Sequence, residues 1–116
     1  MAESFPADLI DAQRRLHQTW AEYETLCAAL PWSVEPLAGW PGTEHPYTGE
    51  ITGGRDASPG YTPEQRAEVD QLRELLRELS ATVATHPYWS TVETGERVAA
   101  RMRLKSLPDA QPPAPA

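Results

Sequence analysis

Between residues 61 and 86 the apolar positions fall at Val69, Leu72, Leu76, Leu79 and Val83, with Leu75 beside them. Steps of three and four residues keep one side of an α-helix continuously apolar, so this stretch predicts a helix with one buried seam. Its ends are specified locally. Thr62 and Gln65 have the spacing of a reciprocal capping box, and Pro63 fits the first helical position, where its missing donor is harmless. Glu64 favours the positive end of the helix dipole. Pro87 biases His86 away from helical geometry, which places the stop near Thr85.

A second helical pattern begins at Asp8. Leu9, Leu16, Trp20, Tyr23, Cys27 and Leu30 share one face, with Ile10 and Leu26 on its edges, until Pro31 ends the run. Gln13 interrupts this stripe without breaking the helix. A third helix is expected from Ser90, or only from Gly95, to about Leu107. Val92, Val98, Ala99, Met102 and Leu104 supply its apolar content, Ser90 and Glu93 offer another capping box, and Pro108 lies beyond its end. These patterns predict an all-α fold, either a small three-helix bundle or a long helical hairpin with a third C-terminal helix.

Residues 31–60 are the least regular part of the chain and cannot form one ordinary helix. Eleven of them are proline or glycine: Pro31 at the junction, then Pro36, Gly39, Pro41, Gly42, Pro46, Gly49, Gly53, Gly54, Pro59 and Gly60. A connection of this length is long for a helical bundle and suggests an ordered crossover or a functional loop. Trp32, Val34, Leu37 and Trp40 are expected to anchor its first half on the helical core. The polar, glycine-rich stretch 48–59 is expected to be mobile. The organisation is then a loose N-terminus at 1–7, one helical domain at 8–107 with an irregular connection at 31–60, and a flexible proline-rich tail at 108–116.

Composition narrows the function. The 116 residues carry a formal charge of −7, which argues against a general nucleic-acid backbone binder. Arg97, Arg101, Arg103 and Lys105 nevertheless gather in the third helix and make a candidate anion-binding face. The single cysteine rules out an intrachain disulfide, and Cys27 reads as a small buried hydrophobe on the first helix. No apolar run reaches membrane-spanning length and no signal-peptide pattern opens the chain, so no membrane partner is expected and the expected location is cytoplasmic.

No catalytic or metal motif emerges. His17, His45 and His86, even with Glu44, match no compact metal spacing, and Gly53-Gly54-Arg55 lacks the lysine and hydroxyl residue of a phosphate loop. Neither a cofactor nor a metal is expected, and the reading leans away from an enzyme. The preferred expectation is a noncatalytic protein-interaction or regulatory domain, with homodimerisation as a natural version. Trp32, Leu37, Trp40, Tyr47 and Trp89 are its candidate binding residues. The alternatives are a small-molecule or anion-binding regulator in which the aromatic residues line a pocket, a nucleic-acid-associated regulator using the basic third helix, and an enzyme of unknown reaction class.

Overall fold

The computed structural model of the chain describes residues 4–112 and is mainly helical. Helix α1 spans Ala7–Ala29 and helix α2 spans Pro63–Ala84. They run antiparallel: Leu26, late in α1, shares a cleft with Glu68, early in α2, while Gln13 and Leu16 meet Val83 at the other end. The α2 start forms as its residues dictate. Thr62 Oγ accepts from the Gln65 amide at 3.1 Å, and Gln65 Oε1 accepts from the Thr62 amide at 2.9 Å. Thr85 is the C-cap.

The seam of α2 buries Val69, Leu76, Leu79 and Val83, whereas Leu72 and Leu75 are half-buried beside an open cleft. On α1 the buried side chains stop at Thr19. Beyond it Trp20 and Cys27 are exposed, which corrects the expectation of a buried thiol. The reason lies in the length of the third element. Helix α3, Arg97–Ser106, places Ala100 and Leu104 in the cluster that also holds Leu9, Ala12 and Leu16, so it covers the first half of α1 and leaves the second half open.

The α2–α3 connection also departs from expectation. The Ser90–Glu93 capping box does not form; 3-10 turns occupy Pro87–Thr91 and Thr94–Glu96, and Ser90 Oγ donates to the Pro87 carbonyl at 2.7 Å. These turns drive Trp89 into the core. Its indole N–H donates to the Val83 carbonyl at 2.6 Å, and its ring packs against Tyr88 and Phe5. Phe5 is buried in the core cluster, within the stretch expected to be loose, whereas Ser4 and Ala7 beside it are exposed. At the other terminus, Ala110 is buried and its carbonyl bonds His17 Nδ1 at 2.8 Å, while His17 Nε2 lies 3.0 Å from the buried Gln13 amide. That chain of bonds ties Pro108–Ala110 to α1. Residues 1–3 and 113–116, expected to be flexible, lie outside the described residues.

Candidate interaction arm

The connection between α1 and α2 is a hydrogen-bonded two-stranded arm. From its base outward, Tyr61 N–H donates to Val34 O, Leu37 and Ser58 exchange bonds at 2.8 and 3.1 Å, and Trp40 and Arg55 exchange bonds at 2.8 and 3.0 Å. Short strands β1, Thr43–Glu44, and β2, Ile51–Thr52, continue the ladder with Thr43 opposite Thr52 and Glu44 opposite Ile51. His45 N–H then donates to Glu50 O, and a turn through Gly49 closes the tip. One register holds from base to tip without a slip.

The period of this ladder is unusual. Bonded residues recur every third position, at 34, 37, 40 and 43 on the outward chain and at 52, 55, 58 and 61 on the return. In an ordinary antiparallel sheet the bonded pairs recur every second residue. A repeat of three is that of chains with three residues per turn, as in polyproline helices. The residues between the bonded ones explain it: Pro36, Gly39 and Gly42 face Gly60, Ala57 and Gly54. A Cβ on Gly39 would stand 2.5 Å from the Ala57 nitrogen and against the Arg55 carbonyl, and a Cβ on Gly54 would stand 2.6 Å from the Gly42 nitrogen. Small residues at every third position let the two backbones close up.

Side chains brace the arm further. Trp32 and Trp40 meet edge to face, 5.7 Å between centroids, and the Arg55 guanidinium lies 4.6 Å over the Trp32 ring. Both indole N–H groups donate across the arm, Trp32 to Asp56 O at 2.9 Å and Trp40 to Gly53 O at 2.8 Å. Stretch 48–59, expected to be mobile, therefore supplies the acceptors for both tryptophans and the return half of the ladder. At the base Arg66 donates to Glu35 at 2.6 Å, tying the arm to α2.

The arm does not pack on the helices as the sequence suggested. None of the described residues in the hydrophobic core cluster comes from 31–60. Val34, Leu37 and Ile51 are exposed, Trp40 is 50% exposed and Tyr47, at the tip, 93%. Of the five expected binding residues, Leu37 and Trp40 share the arm with the half-buried Trp32, Tyr47 stands at its far end, and Trp89 is 5% exposed in the core at the opposite end of the hairpin. No single aromatic pocket unites them. A cleft of about 730 Å³ lies between the helices and is lined by residues including Glu22, Leu26, Glu68, Leu72 and Leu75.

The basic helix is partly committed to folding. Arg97 Nε donates to Val92 O at 3.1 Å, and Arg101 donates to Ala84 O while its guanidinium lies 5.4 Å from the Trp89 ring centroid. Arg103 and Lys105 are exposed in the last turn, where cations suit the helix dipole. Between them, Val98 and Met102 leave an apolar strip 72% and 64% exposed on the same side of α3.

The remaining chemical candidates are dispersed. His17 bonds Ala110, His45 accepts tip amides on the arm, and His86 Nε2 bonds Asp8 at 3.0 Å. That bond holds the Asp8 carboxyl below the usual carboxylate range. Hydrogen bonding to the Cys27 thiol, with burial second, raises the Tyr23 phenol above its usual value. Among the described residues no three His, Cys, Asp or Glu side chains are placed to hold a metal ion, and no helix is long and apolar enough to cross a membrane.

A family described only as a domain of unknown function, DUF8825, matches residues 8–107. The chain belongs to this family. The match runs from the start of α1 to just past α3, so the arm lies inside the DUF8825 domain rather than in an insertion outside it. No curated protein and no solved structure matches the chain.

Proposed function

We propose that this DUF8825 domain is a noncatalytic protein-interaction module that binds through its arm, with the three helices acting as one bundle that holds the arm's base. The observation that carries this reading is the exposure of Val34, Leu37, Trp40, Ile51 and Tyr47 on a scaffold braced by cross-arm hydrogen bonds. Large apolar side chains held in water along one element mark an interaction surface, and tryptophan and tyrosine are among the side chains that most often dominate binding energy. The bracing matters as well. A recognition element already held in shape loses less conformational freedom on binding.

The test is recovery of native complexes from the source cell with the intact protein and with a Leu37→Ser, Tyr47→Ser variant, followed by intact-complex mass measurement. The expected result is an assembly heavier than the monomer that the variant loses while its melting curve stays unchanged. Recovery of monomer alone, or of the same assembly with the variant, would refute the reading.

A further inference from the structure

We infer that the occupant of the arm is α3 of a second copy of this chain, in a two-fold dimer with the long axes antiparallel. This rests on the arm being an interaction element, and it adds the identity of the partner. The arm and α3 each expose apolar side chains, and their charges are opposite. The arm, residues 32–61, carries Glu35, Glu44, Glu50 and Asp56 against Arg55 alone. Helix α3 carries Arg97, Arg101, Arg103 and Lys105 with no acid. At the outer part of the arm the exposed Ile51 and Tyr47 lie with Glu44 and Glu50; on α3 the exposed Val98 and Met102 lie with Lys105. Each surface offers apolar area and the charge the other needs.

Within one molecule the two cannot meet. The arm leaves the end of α1, whereas α3 packs at its beginning, through Leu104 with Leu9 and Leu16 and through Arg101 with Ala84 O. Each of the paired helices runs for about 33 Å between those ends, and the molecule's longest dimension is 64 Å. Placing a second copy antiparallel beside the first sets each arm along the other's α3. The contact is then made twice by one two-fold operation, closes on itself and leaves neither surface free.

Sedimentation velocity on the purified full chain, from low micromolar to several hundred micromolar, tests this together with charge reversal. A dimer is expected that weakens with added sodium chloride. Met102→Asp should weaken it more than tenfold, and Glu50→Lys or Lys105→Glu alone several-fold. Mixing those last two single variants should restore dimerisation, because the mixed dimer sets the reversed arm of one copy against the reversed α3 of the other and the native arm against the native α3, both attractive. The double variant Glu50→Lys, Lys105→Glu, attractive in both contacts, should also recover most of the affinity. A nitroxide on Thr48→Cys in a Cys27→Ser background, mixed with isotope-labelled unmodified chain, should broaden α3 amides of the labelled copy. A monomer at every concentration, a dimer indifferent to both Met102→Asp and Glu50→Lys, or broadening absent from α3 would each overturn the inference. If the purified chain is monomeric but an arm-dependent assembly with another protein is recovered from cells, the interaction reading stands and only the second copy falls.

Discussion

Gly39 shows how far one missing methyl group reaches. Its Cα sits where a Cβ would strike the Arg55 carbonyl and the Ala57 nitrogen, both backbone atoms that cannot swing aside. Gly39→Val should therefore part the two chains and expose the Trp40, Arg55 and Ser58 amides, which hydrogen exchange would register as a loss of protection of at least tenfold. The α2 amides should keep their protection, because no arm residue sits in the helical core; if they lose it equally, the arm and helices are one cooperative unit. Asp8 carries a pH effect of defined sign. Its carboxyl is held below its ordinary value first by the hydrogen bond to His86, so the stabilisation is present above the unfolded carboxyl value, about 4, and is lost as pH falls through the lower folded value. Asp8→Asn should flatten the acid limb of melting temperature against pH below about pH 4; an unchanged limb would show that another carboxylate sets it.

At the scale of the elements, the caps and the turns behave differently. Both ends of α2 were legible because a capping box and a following proline are local chemistry, settled by neighbours in sequence. Thr62→Ala removes the acceptor for the Gln65 amide and should cost about 1 kcal/mol in urea unfolding. Trp89 was not legible, because a tryptophan in a short turn reads the same as Trp32 in another; the difference is that 3-10 turns carry one into the core and a backbone ladder holds the other outside. Trp89→Ala should cost about 3–5 kcal/mol by the same measurement, a large part of the stability of a domain this size, and a cost near zero would mean that the ring is not packed as described. The exposure of Cys27 has a related cause: the residue lies on the apolar face of α1, but whether that face is covered depends on where α3 ends. The arm leaves a visible trace in the sequence whose period is neither a strand's two nor a helix's 3.6. Pro36, Gly39 and Gly42, and Gly54, Ala57 and Gly60, repeat small or imino residues every third position. What no local pattern supplies is the register, which depends on a tip turn between His45 and Glu50.

For the molecule as a whole, the exposed arm stands apart from the packed core. The Cα radius of gyration is 21.1 Å, where a compact chain of this length would have about 13 Å. Elongation of this kind follows from continuing an antiparallel helix pair directly into an antiparallel ladder, so that the chain turns at the arm tip rather than at the helix ends. The core lies toward one end, where Phe5, Leu9, Leu16, Leu79, Val83, Trp89, Ala100 and Leu104 meet. The exposed apolar arm lies toward the other. Replacing residues 35–60 with a short glycine-serine turn removes the Arg66–Glu35 pair, an exposed contact worth at most about 1 kcal/mol, and removes no member of the core cluster. At low micromolar concentration the shortened chain should melt cooperatively within about 5 °C of the intact one, the equivalent of roughly 1 kcal/mol in a domain of this size. Small-angle scattering should show its longest dimension falling well below 64 Å. A shortened chain that no longer melts cooperatively would mean that the ladder holds the ends of α1 and α2 together, making the arm a structural clamp.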